Sequence, residues 1–177
     1  MFKLAPLFMC LLCLSHKPAV LHVNGEIDPD QAKLVVDYLD KNKGPVELVL
    51  NGPGGDVFSA SIIENAIEEH QSVTCVVRGF ALSADASILE SCATREMTGD
   101  SVLMIHSVAI TTGGGNTVQA DDQKAAIDAL NKALAVHLAR HSKMTLEQIL
   151  ARLNTGREWW IDAPTALELG LIDRIVP

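Results

Sequence analysis

Positive charge is scarce in this chain and nowhere clustered. The 14 Lys and Arg against 22 Asp and Glu leave a formal net charge of -8 over 177 residues. Such a balance repels a phosphate backbone unless a basic stripe is present, and none is, so nucleic acid is not an expected partner. Cysteine is scarce too. Cys10, Cys13, Cys75 and Cys92 are too few, and sit in surroundings too apolar, for a disulfide framework, which points to a reducing compartment. Cys10-Leu-Leu-Cys13 has the spacing of redox and zinc sites but no second Cys/His pair complements it. His137 and His141 are four apart on a helical stretch but lack the glutamate and third ligand of a zinc site, so they read as a solvated helix face and no metal is expected. Internal repeats, low-complexity tracts, linkers and a Gly-x-Ser-x-Gly elbow are all absent.

Long apolar runs are absent as well. The longest, at 4–14 behind Lys3, is too short to span a bilayer as a helix. Residues 1–17 therefore read as an apolar arm that docks on a partner subunit or as a short signal segment, and the expected location is cytoplasmic, with export as the alternative. The remainder, 18–177, suffices for one domain, with 48% hydrophobic residues to fill its core.

Within that domain, strands alternate with helices. Residues 19–27 read as a strand, and Asp28-Pro-Asp-Gln31 opens a helix to about 42 that Gly44-Pro45 stops. A buried strand follows at 46–50, then the glycine turn Asn51-Gly-Pro-Gly-Gly-Asp56 and a helix at 57–69. A β-branched strand at 72–78, a turn at 79–83 and a helix at 84–93 repeat the unit. Residues 101–106 are the next strand, 111–116 a glycine-rich tongue, and 119–141 a long alanine-rich helix. Thr145 and Asp162 cap two more helices, the second ending at Gly170 before a strand at 172–176; Trp159 and Trp160 read as packing anchors. Repeated β/α units argue an α/β fold with a parallel or mixed sheet covered by helices.

Three pieces carry chemistry. Gly79-Phe-Ala-Leu-Ser83 puts a serine after a strand, Met104-Ile-His106 ends another strand in a histidine, and the glycine turn can aim amides inward. These are the parts of a serine acyl-transfer site. Taken singly, Ser83 would serve as a helix cap and His106 as a satisfied strand-end histidine.

With the tail Ala163-Pro-Thr-Ala-Leu-Glu-Leu-Gly-Leu-Ile-Asp173, these pieces stand in the order and approximate spacing of the proteolytic subunit of Clp protease, which the chain resembles over about residues 21–176. The resemblance implies a ClpP/crotonase-like fold of repeated ββα-type units with a protruding long-helix handle. It implies a serine endopeptidase with Ser83 as nucleophile, His106 as general base, and the amides of Gly55 and Ala84 as oxyanion hole. Gly54 and the tongue glycines Gly113, Gly114 and Gly115 would bind extended substrate. Protein or peptide substrates, no metal or cofactor, and stacked homo-oligomeric rings of heptamers belong to the same implication; the family's AAA+ unfoldase docks in part on an N-terminal segment, whereas here strand one begins almost at once after the apolar arm, so the reading is of an ATP-independent peptidase subunit.

The family's acid is usually aspartate and falls five residues before the alanine of the last capped helix, which here is Glu158; Asp162 is the rival, better explained as an N-cap. Two departures stand out. Gly52 replaces a serine, expected to loosen the turn, and Asp85 replaces a glycine two residues after Ser83, where a carboxylate would repel an oxyanion or be held by the helix N-terminus. The alternatives are a catalytically impaired ring or scaffold subunit, a crotonase-type acyl-CoA enzyme, and an exported enzyme like the signal peptide peptidases.

Overall fold

The computed structural model describes residues 17–109 and 117–177. The apolar arm, except Lys17, and the tongue at 113–115 lie outside the described residues. In chain order the elements are β1 (Ala19–Asn24), α1 (Pro29–Lys41), β2 (Val46–Gly52), α2 (Val57–His70), β3 (Val73–Leu82), α3 (Ala84–Glu90), β4 (Thr94–Thr98) and β5 (Val102–Ile105). They continue with α4 (Thr117–His141), α5 (Leu146–Leu153), β6 (Trp159–Asp162), α6 (Ala163–Leu169) and β7 (Arg174–Val176).

Local chemistry explains the helix starts. Asp28 caps α1 by accepting the Gln31 N–H at 2.7 Å, with Pro29 at the first helical position. Asp56 caps α2 through Ser59, Thr145 and Gln148 form a reciprocal capping box on α5, and Asp162 caps α6 through Thr165. Gly170 then ends α6 in the left-handed region at φ 74°.

The sheet runs β1-β2-β3-β4-β7, all parallel, with β5 branching from β3 and β6 antiparallel to β5. β2 and the first half of β3 are nearly continuous Val, Leu and Cys because parallel strands covered on both faces have no polar side. The branch is made inside β3. Residues 74–77 pair with β4, residues 80–82 with β5, and the register against β2 slips so that Leu50 faces Val77 but Gly52 faces Ala81. Gly79 sits in the slip at φ 104°, where a Cβ would lie 2.6 Å from the Asn51 side-chain oxygen. Its N–H donates to Ser101 Oγ at 3.0 Å.

Several expectations are corrected here. The segment 79–83 is not a turn: β3 continues to Leu82 and the chain reverses only at Ser83. Strands β4 and β6 were not foreseen. β4 is hidden by its own charges, because Arg95 and Glu96 are each only 6% exposed in the sheet. Arg95 bonds Glu90 at 2.9 Å and Asp173 at 2.7 Å, and Glu96 accepts from Arg174. Trp159 does pack on the core with Arg152 stacked over its ring, but Trp160 is 56% exposed and is not part of the core among the described residues. Cys75 and Cys92, expected to be unpaired, lie against each other in the core as a disulfide; one buried bridge leaves no spacing pattern to read. Cys10 and Cys13 fall outside the described residues.

Glu90 is 1% exposed, and its ionised partner is Arg95. Replacing Arg95 by Met should therefore cost about 3–5 kcal/mol in chemical unfolding, while the double replacement Arg95→Met with Glu90→Leu should recover much of that loss. Equal destabilisation by the single and double variants would refute the ion pair as the cause.

Candidate active site

Three segments meet where parallel strands end, the place open α/β sheets present to ligands. They are the glycine turn after β2, Ser83 after β3 and His106 after β5. Ser83 has φ 55° and ψ -113°, and only Gln71 shares a positive φ among the described non-glycine residues. Backbone of this kind in a residue bearing a Cβ costs on the order of 1–3 kcal/mol and persists only where its surroundings dictate it. The surroundings here are the Ser83 N–H donating to the Met104 carbonyl at 2.7 Å and Ser87 N–H donating to the Ser83 carbonyl. The hydroxyl does not cap α3. Instead Ser83 Oγ lies 2.8 Å from His106 Nε2, which excludes the helix-cap reading of this serine.

The glycine turn is pinned from both sides. The Gly54 N–H donates to Asp85 Oδ2 at 2.8 Å, the Ile27 N–H donates to the Gly54 carbonyl at 2.8 Å, and the Asp56 N–H donates to the Ile27 carbonyl at 2.8 Å. Gly55 is thus bridged to Ile27 through its two neighbours, which points its own N–H to the opposite side of the strand. Among the described residues neither the Gly55 N–H nor the Ala84 N–H at the head of α3 has a partner. Gly55 and Ala84 line one cavity of about 490 Å³ together with Ser83 and His106. Gly54, expected to touch substrate, has both its backbone groups engaged inside the fold. Its Cβ would lie 2.7 Å from that of Ser83, so only glycine lets the two segments approach.

The cavity runs between α2 and α4. Its walls are apolar at Val57, Ala60, Leu134 and Leu138, and its far part holds Ser87 donating to Glu64 at 2.5 Å and Arg140 paired with Glu68. His137 is not on a solvated face as expected. Its Nε2 donates to the Ser87 carbonyl at 3.0 Å, and its side chain is 12% exposed.

Asp85 departs furthest from expectation. It is fully buried, and it spends Oδ2 on the Gly54 N–H while Oδ1 has no partner. Burial pushes its pKa up to about 7 against the opposing pull of that N–H. Gly52 does not loosen the turn: a Cβ there would sit 2.6 Å from Asp85 Oδ2 and 2.5 Å from the Gly25 carbonyl oxygen, so the residue tightens it.

The acids separate by role. Asp162 caps α6, its carboxyl held below the usual range by the Thr165 hydroxyl and amide. The β5–β6 ladder closes at Ile105 opposite Trp159, so one further step of the same register sets Glu158 across from His106. The Glu158 side chain is exposed and accepts the Trp160 indole N–H at 3.0 Å; no hydrogen bond joins it to His106 among the described residues.

Residues 14–177 match the family model for Clp protease. The chain belongs to the Clp protease family. It is 30% identical over 170 residues to the ATP-dependent Clp protease proteolytic subunit of Streptococcus mutans, covering 90% of this chain and 85% of that protein. It is 30% identical over 145 residues to proteolytic subunit 1 of Corynebacterium glutamicum, covering 80% of this chain and 68% of that protein. A solved ClpP1 point mutant from Listeria monocytogenes shares the fold with a TM-score of 0.78 at 21% identity, over 89% of this chain and 90% of that one. The family implies a peptidase, and the expected α/β architecture is the one observed. Among the described residues no helix is long and apolar enough to cross a membrane.

The strain at Ser83 is measurable. Ser83→Gly should raise the unfolding free energy relative to Ser83→Ala by about 1 kcal/mol or more, because glycine alone adopts this backbone without penalty. A glycine variant no more stable than the alanine variant would show that the conformation is unstrained.

Proposed function

We propose that this chain is a serine endopeptidase subunit that hydrolyses peptide bonds through an acyl-enzyme on Ser83. The observation that carries the reading is the 2.8 Å contact of Ser83 Oγ with His106 Nε2 beside the unpartnered Gly55 and Ala84 amides. As Oγ attacks the scissile carbonyl carbon, His106 Nε2 takes its proton. The oxygen that gains the electron pair accepts from the Gly55 and Ala84 N–H groups, and His106 then hands the proton to the leaving amine. Water, deprotonated by the same imidazole, attacks the acyl carbon and frees Ser83 as the peptide acid departs. Glu158 orients His106 in this scheme, supported by the strand register that faces the two residues.

Assembly belongs to the proposal. The relatives are named as proteolytic subunits of an ATP-dependent protease, and membership in that family favours stacked heptameric rings with the sites inside, fed by an AAA+ unfoldase. The tongue glycines Gly113, Gly114 and Gly115, which would hold extended substrate and join the rings, lie outside the described residues.

A fluorophosphonate probe should label the assembled wild-type protein at Ser83 and nowhere else, and Ser83→Ala should lose both labelling and peptide-ester hydrolysis while folding normally. Wild-type protein that assembles but is never labelled would favour the impaired scaffold. Glu158→Gln should lower turnover by orders of magnitude, whereas Asp162→Ala should lower the unfolding midpoint modestly with little effect on turnover; the reverse pattern would make Asp162 the acid.

A further inference from the structure

Asp85 has no part in the proton transfers above, yet it is the one fully buried carboxyl group that touches the turn beside Ser83. We infer that Asp85 is a positioning residue: its carboxyl anchors the Gly54 amide from beneath and thereby orients the Gly55 N–H toward the acyl oxygen. The inference rests on the acyl-transfer reading and adds a residue to it.

The geometry makes the anchor specific. Asp85 holds the Pro53–Gly54 peptide at its N–H and Ile27 holds the Gly54–Gly55 peptide at its carbonyl, so Gly54 is fixed on both sides of its Cα and the peptide that carries the Gly55 N–H is kept from turning over. Glycines at φ 90° and φ 153° would otherwise allow that rotation readily, and a flipped peptide would replace a donor by a carbonyl oxygen in the hole. The volume is also reserved for this side chain. Gly52 leaves the space that Asp85 Oδ2 fills, and any Cβ at 52 would displace it.

The anchor is sensitive to charge. Asp85 lies among α3, the β2–α2 turn and the β1–α1 turn. The titratable groups on or beside these segments are Glu26, Asp28, Asp56, Glu90 and His106, and none of them bonds to it or pairs with it. Its pKa of about 7 reflects burial opposed only by the Gly54 N–H. Above that pH a buried negative charge would lie under the turn where a second negative charge must form, so the neutral carboxyl is the competent form.

The test compares wild type, Asp85→Ala and Asp85→Asn in the assembled protein, using a short peptide ester and the rate of fluorophosphonate labelling. Asp85→Ala should lower kcat and the labelling rate about 10²-fold, the size of losing one oxyanion donor, with KM changed little. Asp85→Asn, which keeps an oxygen for the Gly54 N–H, should rescue most of that loss. The wild-type profile of kcat should fall as pH rises through about 7, and Asp85→Asn should lack that fall. A folded Asp85→Ala with wild-type kcat overturns the inference. If the alanine variant fails to fold, the profile decides alone, and an alkaline fall retained in Asp85→Asn overturns it. Failure of the wild type to label sinks the acyl-transfer reading and this inference together, whereas normal wild-type labelling with unaffected variants sinks this inference only.

Discussion

The slip of register inside β3 is the constraint on which the rest of the site depends. A strand that kept its pairing with β4 to the end would deliver Ser83 over the middle of a regular sheet, with its backbone groups taken up by the ladder. Because the register shifts between Leu50 and Gly52, β3 leaves β4 and pairs with β5 instead. That exchange brings the ends of β3 and β5 side by side, so the Ser83 N–H reaches the Met104 carbonyl and His106 follows two residues later. The 2.8 Å contact between hydroxyl and imidazole is thus a consequence of strand pairing rather than of loop chance. Elements of regular structure hold such a contact more tightly than loops do.

Charge burial takes two different forms around this frame. Arg95 bonds both Glu90 and Asp173 and so ties β4, α3 and the approach to β7 together, although burial pushes the Glu90 pKa up to about 8 against the pull of the guanidinium. Removing one partner from such a set is costly, although an apolar replacement of the set would serve stability as well. Asp85 has no cation paired with it among the described residues. Only the Gly54 N–H offsets the burial of its carboxyl, and Oδ1 has no partner among the described residues. A polar group kept in such a place, with a glycine opposite to make room, is more readily explained by what it holds than by the stability it adds.

The readable parts of this chain were those whose physics is local. Caps at Asp28, Thr145 and Asp162, the apolar parallel strands β2 and β3, and the glycine turn all announced themselves, because each depends on neighbours within a few residues. What failed depends on partners far away in sequence. β4 looked unlike a strand because Arg95 and Glu96 seemed unburiable until residues 78 positions away supplied Asp173 and Arg174. β6 is four residues long and exists by virtue of pairing with β5. Gly79 read as a turn because a positive-φ glycine marks either a turn or a break in register, and only the identity of the next strand distinguishes them. The pairing of Cys75 with Cys92 likewise needs the return of α3 beneath β3.

The free amide at Gly55 arises by elimination. Three hydrogen bonds consume the donors and acceptors of Gly54, Asp56 and Ile27, and the parallel bridge turns the one remaining N–H away from the strand that supplied the others. Gly55 is exposed, so its N–H can meet solvent, and leaving it without a protein partner costs the fold little. Ser83 adds the penalty of its positive φ, and Asp85 adds an unpartnered oxygen. These two costs stand two residues apart at the head of α3, while the core around them is closely filled by residues such as Leu48, Leu50, Ile88 and Leu103. A comparable pair, the unpartnered His70 Nδ1 and Gln71 at φ 59°, closes the C-terminus of α2 and borders no part of the cavity. What sets the head of α3 apart is that the strained Ser83 and the open Gly55 and Ala84 amides line one cavity, so the conformational cost and the free donors share the space that a bound molecule would fill.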